Sequence, residues 1–479
     1  MLSYFLNFLY LISLGGLFLV IVTPYKYIEF IRFSSLCITL FLFWIILIIW
    51  SFFETNLGII QFTLFYNQVP ICGVDGLSLI FLLLTTFLFF CIFLLVWNIN
   101  YHSKLLICLL LFLECLLIFV FSVLDIFLFY ILFELILLPM LLIIFIWGSR
   151  SRKIKASFYF FLYTLFGSLF MLVGILLLYY EFGTTNLLLL SYLEVTYIKQ
   201  LLFWILFFFS FAIKIPMFPF HIWLPEAHVE APTIGSVILA GLLLKLGAYG
   251  FLRIVLPLFP QATIFFQPFV LTLASLGVLY ASFILLCQMD LKKIIAYSSV
   301  AHMNFAVLGL FSNTILGIQG SLFLFISHGF SSSALFILVG ILYERYHTRL
   351  LPYYGGLVQL MPLYAIFFFF FTIANFGFPG TSNFIGEFLI FLGLGQKSFF
   401  LICCAGVGML FSVIYSILLF SRLLFGELKF YYLIFSFYSD LTRQEFFILL
   451  FLTIVLFFFG FFPIPLFNLM IFPCYLLLF

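Results

Sequence analysis

Runs of about 20 apolar residues recur along the chain, each long enough to cross a bilayer as a helix. Short polar stretches and Gly/Pro breaks separate them. These marks predict about fourteen helices, at 2–22, 33–53, 77–97, 104–122, 125–146, 158–180, 201–224, 232–254, 264–287, 294–311, 316–342, 362–391, 399–424 and 446–470. The expected fold is an all-α polytopic membrane protein, a single membrane domain over 1–479. Residues 2–22 follow no basic n-region and no Arg/Ser-rich leader, so they are expected to be a retained helix.

Two of the predicted helices are interrupted. In "FAIKIPMFPFHIWLPEAHVEAP", Phe211 to Pro232, a lysine and two prolines break an otherwise apolar run. Pro216 and Pro219 each lack an N–H and clash with the carbonyl four residues earlier, which leaves the carbonyls of Ala212 and Ile215 without helical donors. In lipid such groups are tolerated only beside protein or water. The expectation is a wet, polar break at Lys214; the competing reading is a simple proline kink. The second interruption is "NFGFPGTSNFIGEF", Asn375 to Phe388, where Gly377, Pro379 and Gly380 precede Glu387. The broken helices are the seventh and the twelfth. A repeat unit of five helices requires the second copy to be upside down, and broken helices in inverted repeats are transporter architecture. The expected copies are 104–254, helices four to eight, and 264–424, helices nine to thirteen.

Composition agrees with a membrane protein, since 67% of residues are hydrophobic and only 7% charged, against about 25% charged in a soluble domain. A net charge of +3 gives no reason to expect nucleic acid or an acidic substrate as partner. The nine cysteines show no metal-ligand spacing. The 77 phenylalanines exceed what burial requires and, through AT-rich codons, point to an AT-biased genome such as a mitochondrial one. Loops on one side hold 14 Lys and Arg, among them Arg150, Arg152, Lys292 and Arg349, against three on the other, Lys199, Arg253 and Lys397. By the positive-inside rule the basic side faces the matrix or cytoplasm, and both termini face the opposite side.

An ionisable residue at mid-membrane costs roughly 2.5–3.5 kcal/mol on insertion scales and needs a partner or a wet cavity. Glu134 in "FYILFELILLP", Lys214, and Lys245 in "GLLLKLG" are central in their helices. Glu387 joins them from the second half of a broken helix, and Glu114 is a weaker candidate that could merely pair a neighbouring helix. His302, in "YSSVAHMNF", and His328, in "FISHGFSSSA", supply groups that carry a proton near neutral pH. A lone helix histidine is more often a packing residue; the buried lysines and glutamates favour proton carriage here. His221 and His228 lie past the first break, toward the basic side, where they mark either a path or only a loop.

The stretch Phe211 to Gly250 resembles the signature of the subunit 4 family of NADH dehydrogenase, respiratory complex I. The resemblance extends through "DIFLFYILFELILLPM", "MDLKKIIAYSSVAHMNF", "ISHGFSSSALFILVGILYERYHTR" and "GFPGTSNFIGEF" and covers roughly 104–425. Glu387 is similar to subunit 4 rather than to subunits 2 and 5, which resemble each other in having lysine there. The resemblance implies proton pumping driven by electron transfer from NADH to ubiquinone. Glu134 then pairs Lys214, Lys245 relays charge through His302 and His328, and Glu387 is the exit-side acid. It also implies that this chain binds no cofactor. NADH, FMN, iron–sulfur clusters and ubiquinone would be used by other subunits. The implied partners are other membrane-arm subunits, especially the antiporter-like subunits 2 and 5, together with membrane lipids. The implied location is the mitochondrial inner membrane, or a bacterial plasma membrane if the chain is not organellar. The alternatives are a subunit of a monovalent cation/proton antiporter and a passive scaffold, which would not retain two central lysines.

Overall fold

A computed structural model of the chain describes residues 3–55, 60–66, 69–429 and 440–477. It is almost wholly helical, because in lipid the backbone must satisfy its own hydrogen bonds. The spans are α1 Ser3–Val22, α2 Ile28–Ser51, α3 Gly76–Val96, α4 Ser103–Ser122, α5 Ile126–Trp147, α6 Lys153–Phe182 and α7 Tyr197–Lys214. They continue as α8 Thr233–Leu258, α9 Pro260–Cys287, α10 Leu291–Leu310 and α11 Ile315–Tyr346. The last are α12 in two halves, Pro362–Asn375 and Ser382–Gly395, then α13 Phe399–Leu424, α14 Arg443–Phe461 and α15 Ile464–Leu476. Among the described residues, twelve helices are long and apolar enough to cross a membrane. With α10, which is richer in polar residues, and the two-part α12, the expected fourteen are accounted for.

Boundaries move where local chemistry allows. α2 starts at Ile28, five residues before the expected position, because Glu29 suits its first turn and Arg32 reaches out to Ile99 O at 2.7 Å and Asn100 Oδ1 at 2.8 Å. α6 runs on to Phe182 and stops at Gly183, whose φ of 68° is a left-handed C-cap. The expected helix 201–224 ends at Lys214 and resumes as the short helix Trp223–Glu230. The expected 446–470 divides around Pro463, which cannot donate within a helix. A β-hairpin, β1 Gln61–Tyr66 against β2 Val69–Val74, lies where no element was expected.

The chain forms two compact units. The first comprises 1–214, 246–266 and 468–479. In it the hairpin runs into Asp75, which caps α3 in a reciprocal box with Ser78 and forms an ion pair with Arg253 of α8. Small residues let helices approach closely: a Cβ on Gly167 would stand 2.7 Å from Ile213 Cδ1, and one on Gly174 3.1 Å from Phe207.

The second unit comprises 215–245 and 267–467. Its axis is α11, buried at every residue from Gly317 to Leu342. The second half of α12 crosses α11 through glycines on both helices: a Cβ on Gly320 would meet Ile390 N at 2.8 Å, and one on Gly386 would meet Leu324 N at 2.9 Å. The chain passes from the first unit to the second directly after Lys214, and returns directly after Lys245.

Candidate functional site: two sets of buried charge

In the first unit, α5 is interrupted between Leu135 and Leu137, two residues beyond Glu134. Pro139 lacks the N–H that the Leu135 carbonyl would otherwise receive. Lys214 ends α7 with 2% exposure, and its Nζ has no hydrogen-bond partner among the described residues. The ammonium sits 4.4 Å from the centroid of Phe133, the residue before Glu134. Glu134 and Lys214 are within electrostatic reach of each other. Glu114 on α4 is 1% exposed with both oxygens unpartnered among the described residues, and is an orphan carboxyl rather than half of a helix–helix pair.

The second unit holds a row. Lys245 Nζ donates to Ala240 O and lies 3.1 Å from His328 Nδ1. The rings of His328 and His302 have centroids 5.8 Å apart, and His302 Nδ1 stands 3.4 Å from Glu387 Oε1. That last contact is electrostatic, since neither Glu387 oxygen completes a hydrogen bond among the described residues. On the other face of His302, the Tyr415 hydroxyl is 3.5 Å from Nε2. Lysine, two histidines and glutamate from α8, α11, α10 and α12 are thus contiguous, all at 3% exposure or less.

A break in a helix lies beside each set. At the first, Asn304 Nδ2 donates to Pro216 O at 3.2 Å and to Val300 O at 2.8 Å, so a side chain from α10 meets the carbonyl of Pro216 itself, inside the break. At the second, Gly377 (φ 69°) and Gly380 (φ 98°) turn the chain between the halves of α12, with Pro379 between them. A Cβ on Gly377 would collide with the Glu387 carboxylate. Both interruptions are breaks, not bends.

His221 does not join the row. It is 3% exposed among rings, with centroids 5.9 Å from Phe218 and 5.3 Å from Tyr280. His228 is fully buried against Phe336. Sequence reasoning missed Tyr415, a tyrosine in an apolar helix with no motif around it. It also missed the two π-helical stretches of α8, Leu239–Leu243 and Phe251–Val255, which flank Lys245; such stretches gather at functional sites, and Gly241 was the only local hint. Lys292 and Arg349 were read as loop charges, yet they are 1% and 0% exposed. Among the described residues, no group of three or more His, Cys, Asp or Glu is placed to hold a metal ion.

This arrangement can be set beside known proteins. The family described as NADH:quinone oxidoreductase/Mrp antiporter, TM matches residues 123–414. The chain is 51% identical over 462 residues to NADH-ubiquinone oxidoreductase chain 4 of Chondrus crispus, covering 95% of this chain and 93% of that one. It is 50% identical over 442 residues to the protein of the same name from Arabidopsis thaliana, covering 91% and 89%. Among solved structures it is similar to a chain of respiratory complex I from Thermus thermophilus with bound NADH, at TM-score 0.85 and 29% identity over the full length of both. The membrane-bound sulfane sulfur reductase, an archaeal respiratory membrane complex, shares the fold at TM-score 0.86 and 21% identity, covering 99% and 97%. The chain belongs to the NADH-ubiquinone oxidoreductase chain 4 family, as the resemblance in its sequence implied.

Proposed function

We propose that this chain is a proton-translocating membrane-arm subunit of respiratory complex I, coupling NADH-to-ubiquinone electron transfer to pumping through Glu134, Lys214, Lys245, His302, His328 and Glu387. The observation that carries this reading is the buried row Lys245–His328–His302–Glu387, because four titratable groups in contact inside a membrane helix bundle are retained only for use. A neighbouring carboxylate favours the charged form of a lysine, and burial favours the neutral form. Displacing Glu134 therefore lowers the proton affinity of Lys214, while its return restores it. Moving a unit charge across the membrane takes about 2.3 kcal/mol per 100 mV, and each unit of pKa swing supplies about 1.36 kcal/mol.

The redox chemistry belongs to other subunits, which use NADH, FMN, iron–sulfur clusters and ubiquinone; this chain holds and moves protons. Its neighbours are the antiporter-like subunits 2 and 5, in the mitochondrial inner membrane. The halves 104–254 and 264–424 are inverted repeats. Loop 150–155 faces the matrix and loop 181–199 the opposite side, with both termini. Protease cleavage of the two loops from opposite faces is expected, and cleavage from one face would overturn the topology.

The test of function is Lys245→Ala in the whole complex. Proton pumping and quinone-linked NADH oxidation are expected to fall together, while electron transfer from NADH to an artificial acceptor in the soluble arm persists. Wild-type pumping by an assembled variant would sink the relay. Purification of the chain without flavin or iron–sulfur clusters would favour an antiporter instead.

A further inference from the structure

Three side chains of α11, His328, Phe336 and Tyr343, measure the distance from the central row to the end that carries Lys292 and Arg349. Phe336 is eight residues beyond His328 on α11, and Tyr343 is seven beyond Phe336. At about 1.5 Å per residue these steps are roughly 12 and 10 Å. At the first level stand Lys245 and His328. At the third, Lys292 Nζ and the Arg349 guanidinium lie 5.9 and 5.7 Å from the Tyr343 ring centroid. At the middle level stands His228, its ring stacked on Phe336 with centroids 4.6 Å apart and planes 6° from parallel.

His228 is 0% exposed, and neither ring nitrogen has a hydrogen-bond partner among the described residues. Buried polar atoms are nearly always satisfied, by protein or by water. Lys292 from α10, Lys245 from α8 and His328 from α11 are within electrostatic reach of it. The residues that follow it are pinned. Arg349 donates to Val229 O and lies 3.6 Å from Glu230 and 3.8 Å from Asp290, while Lys292 donates to Ala231 O at 2.7 Å. Asp290 is the outermost member, its side chain 13% exposed. An imidazole whose two nitrogens have no hydrogen-bond partner among the described residues is thus held midway between an ionic cluster at the basic end of α11 and the central row.

We propose that His228 is a proton-uptake residue, joining the face that carries Asp290, Lys292 and Arg349 to Lys245 and His328 through water bound at its ring nitrogens. The ring accepts a proton on one nitrogen from the Lys292 side and releases the proton of the other toward Lys245. Only N–H bonds change, and nothing is oxidised or reduced. The inference rests on the relay reading of the second unit and adds the side from which that row is filled.

The experiment uses the whole complex in inside-out membrane particles, with the basic face outward. Quinone-linked NADH oxidation is followed as the outer pH is varied. His228→Phe keeps the stack on Phe336 and removes the nitrogens; His228→Gln keeps polar atoms but cannot shuttle a proton. Both are expected to lower turnover about tenfold at alkaline outer pH and to move the profile about one pH unit to the acid side. Assembled complex and artificial-acceptor activity should be unchanged. A uniform loss at every pH would assign His228 a packing role and overturn the proposal, as would a wild-type profile in His228→Gln. If His228→Phe does not assemble, His228→Gln decides. Lys245→Ala run alongside separates the failures. If that variant pumps normally, the relay reading falls; if it stops pumping while the His228 variants keep the wild-type profile, only this inference falls.

Discussion

Lys214 and Lys245 are both buried lysines, one at the end of α7 and one within α8, and their surroundings differ. Lys214 Nζ has no hydrogen-bond partner among the described residues and rests 4.4 Å from a phenylalanine ring. Lys245 Nζ donates to a carbonyl of a π-helical turn and lies 3.1 Å from an imidazole that leads on to a second imidazole and a carboxylate. A buried charge without a partner is costly, so Lys214 depends on whatever Glu134 does. A buried charge in a row can hand its proton on, so Lys245 depends on continuity. In the proposed function the first unit acts as a sensor and the second as a conductor. The breaks differ in kind as well. Two prolines deny the backbone its donors near Lys214, whereas at the second break two left-handed glycines turn the chain and one of them, Gly377, gives the Glu387 carboxylate its room.

The sharpest way to break this comparison is Glu134→Ala. If Glu134 biases Lys214 inside a coupled machine, pumping and quinone-linked turnover should both fall by about a hundredfold, with the artificial-acceptor reaction intact. Removing one member of a buried pair can cost about 3–5 kcal/mol, so assembled complex must be quantified alongside. Wild-type turnover in an assembled variant would leave Lys214 without its modulator.

Lys214→Arg comes next. Arginine keeps its charge at any accessible pH, so the variant should assemble yet pump about tenfold more slowly. Normal pumping would show Lys214 to be a fixed charge.

Gly377→Ala probes the other break. A left-handed alanine costs about 1–2 kcal/mol, and its Cβ would displace the Glu387 carboxylate from His302. Pumping should fall several-fold while assembled complex falls less, and equal losses of the two would mean that the glycine serves folding alone. The smallest effect is expected from Arg253→Gln, which unpairs Asp75 beside the hairpin. The pair is 15% and 14% exposed, so the loss should be about 1–2 kcal/mol, read as a lower thermal midpoint of the complex with turnover per complex unchanged.

Spans and breaks were legible in the sequence because lipid imposes one rule on every residue: apolar side chains outside and backbone bonds closed within the helix. Proline and glycine announce where that rule is suspended, and a lysine or glutamate amid leucines announces a need for company. Pro216, Pro219, Gly377, Pro379 and the six charged or imidazole groups could therefore be marked from one dimension. The hairpin was not, because its six-residue strands resemble the tail of an apolar run. Lys292 and Arg349 were not, because a charge near a helix end can equally reach water.

By itself, then, the sequence determined that the chain crosses the membrane many times, where two helices are broken, and which residues are too costly to be idle in lipid. Only the tertiary structure decided which of those residues are in contact. Lys245, His302, His328 and Glu387 come from four helices up to 142 residues apart in the chain, and no periodicity within one helix fixes how another is rotated against it. That rotation is set by packing, by glycines such as Gly320 and Gly386 that let α11 and α12 close to backbone contact. It puts Glu387 beside His302, leaves Glu114 without a hydrogen-bond partner among the described residues, and stacks His228 on Phe336.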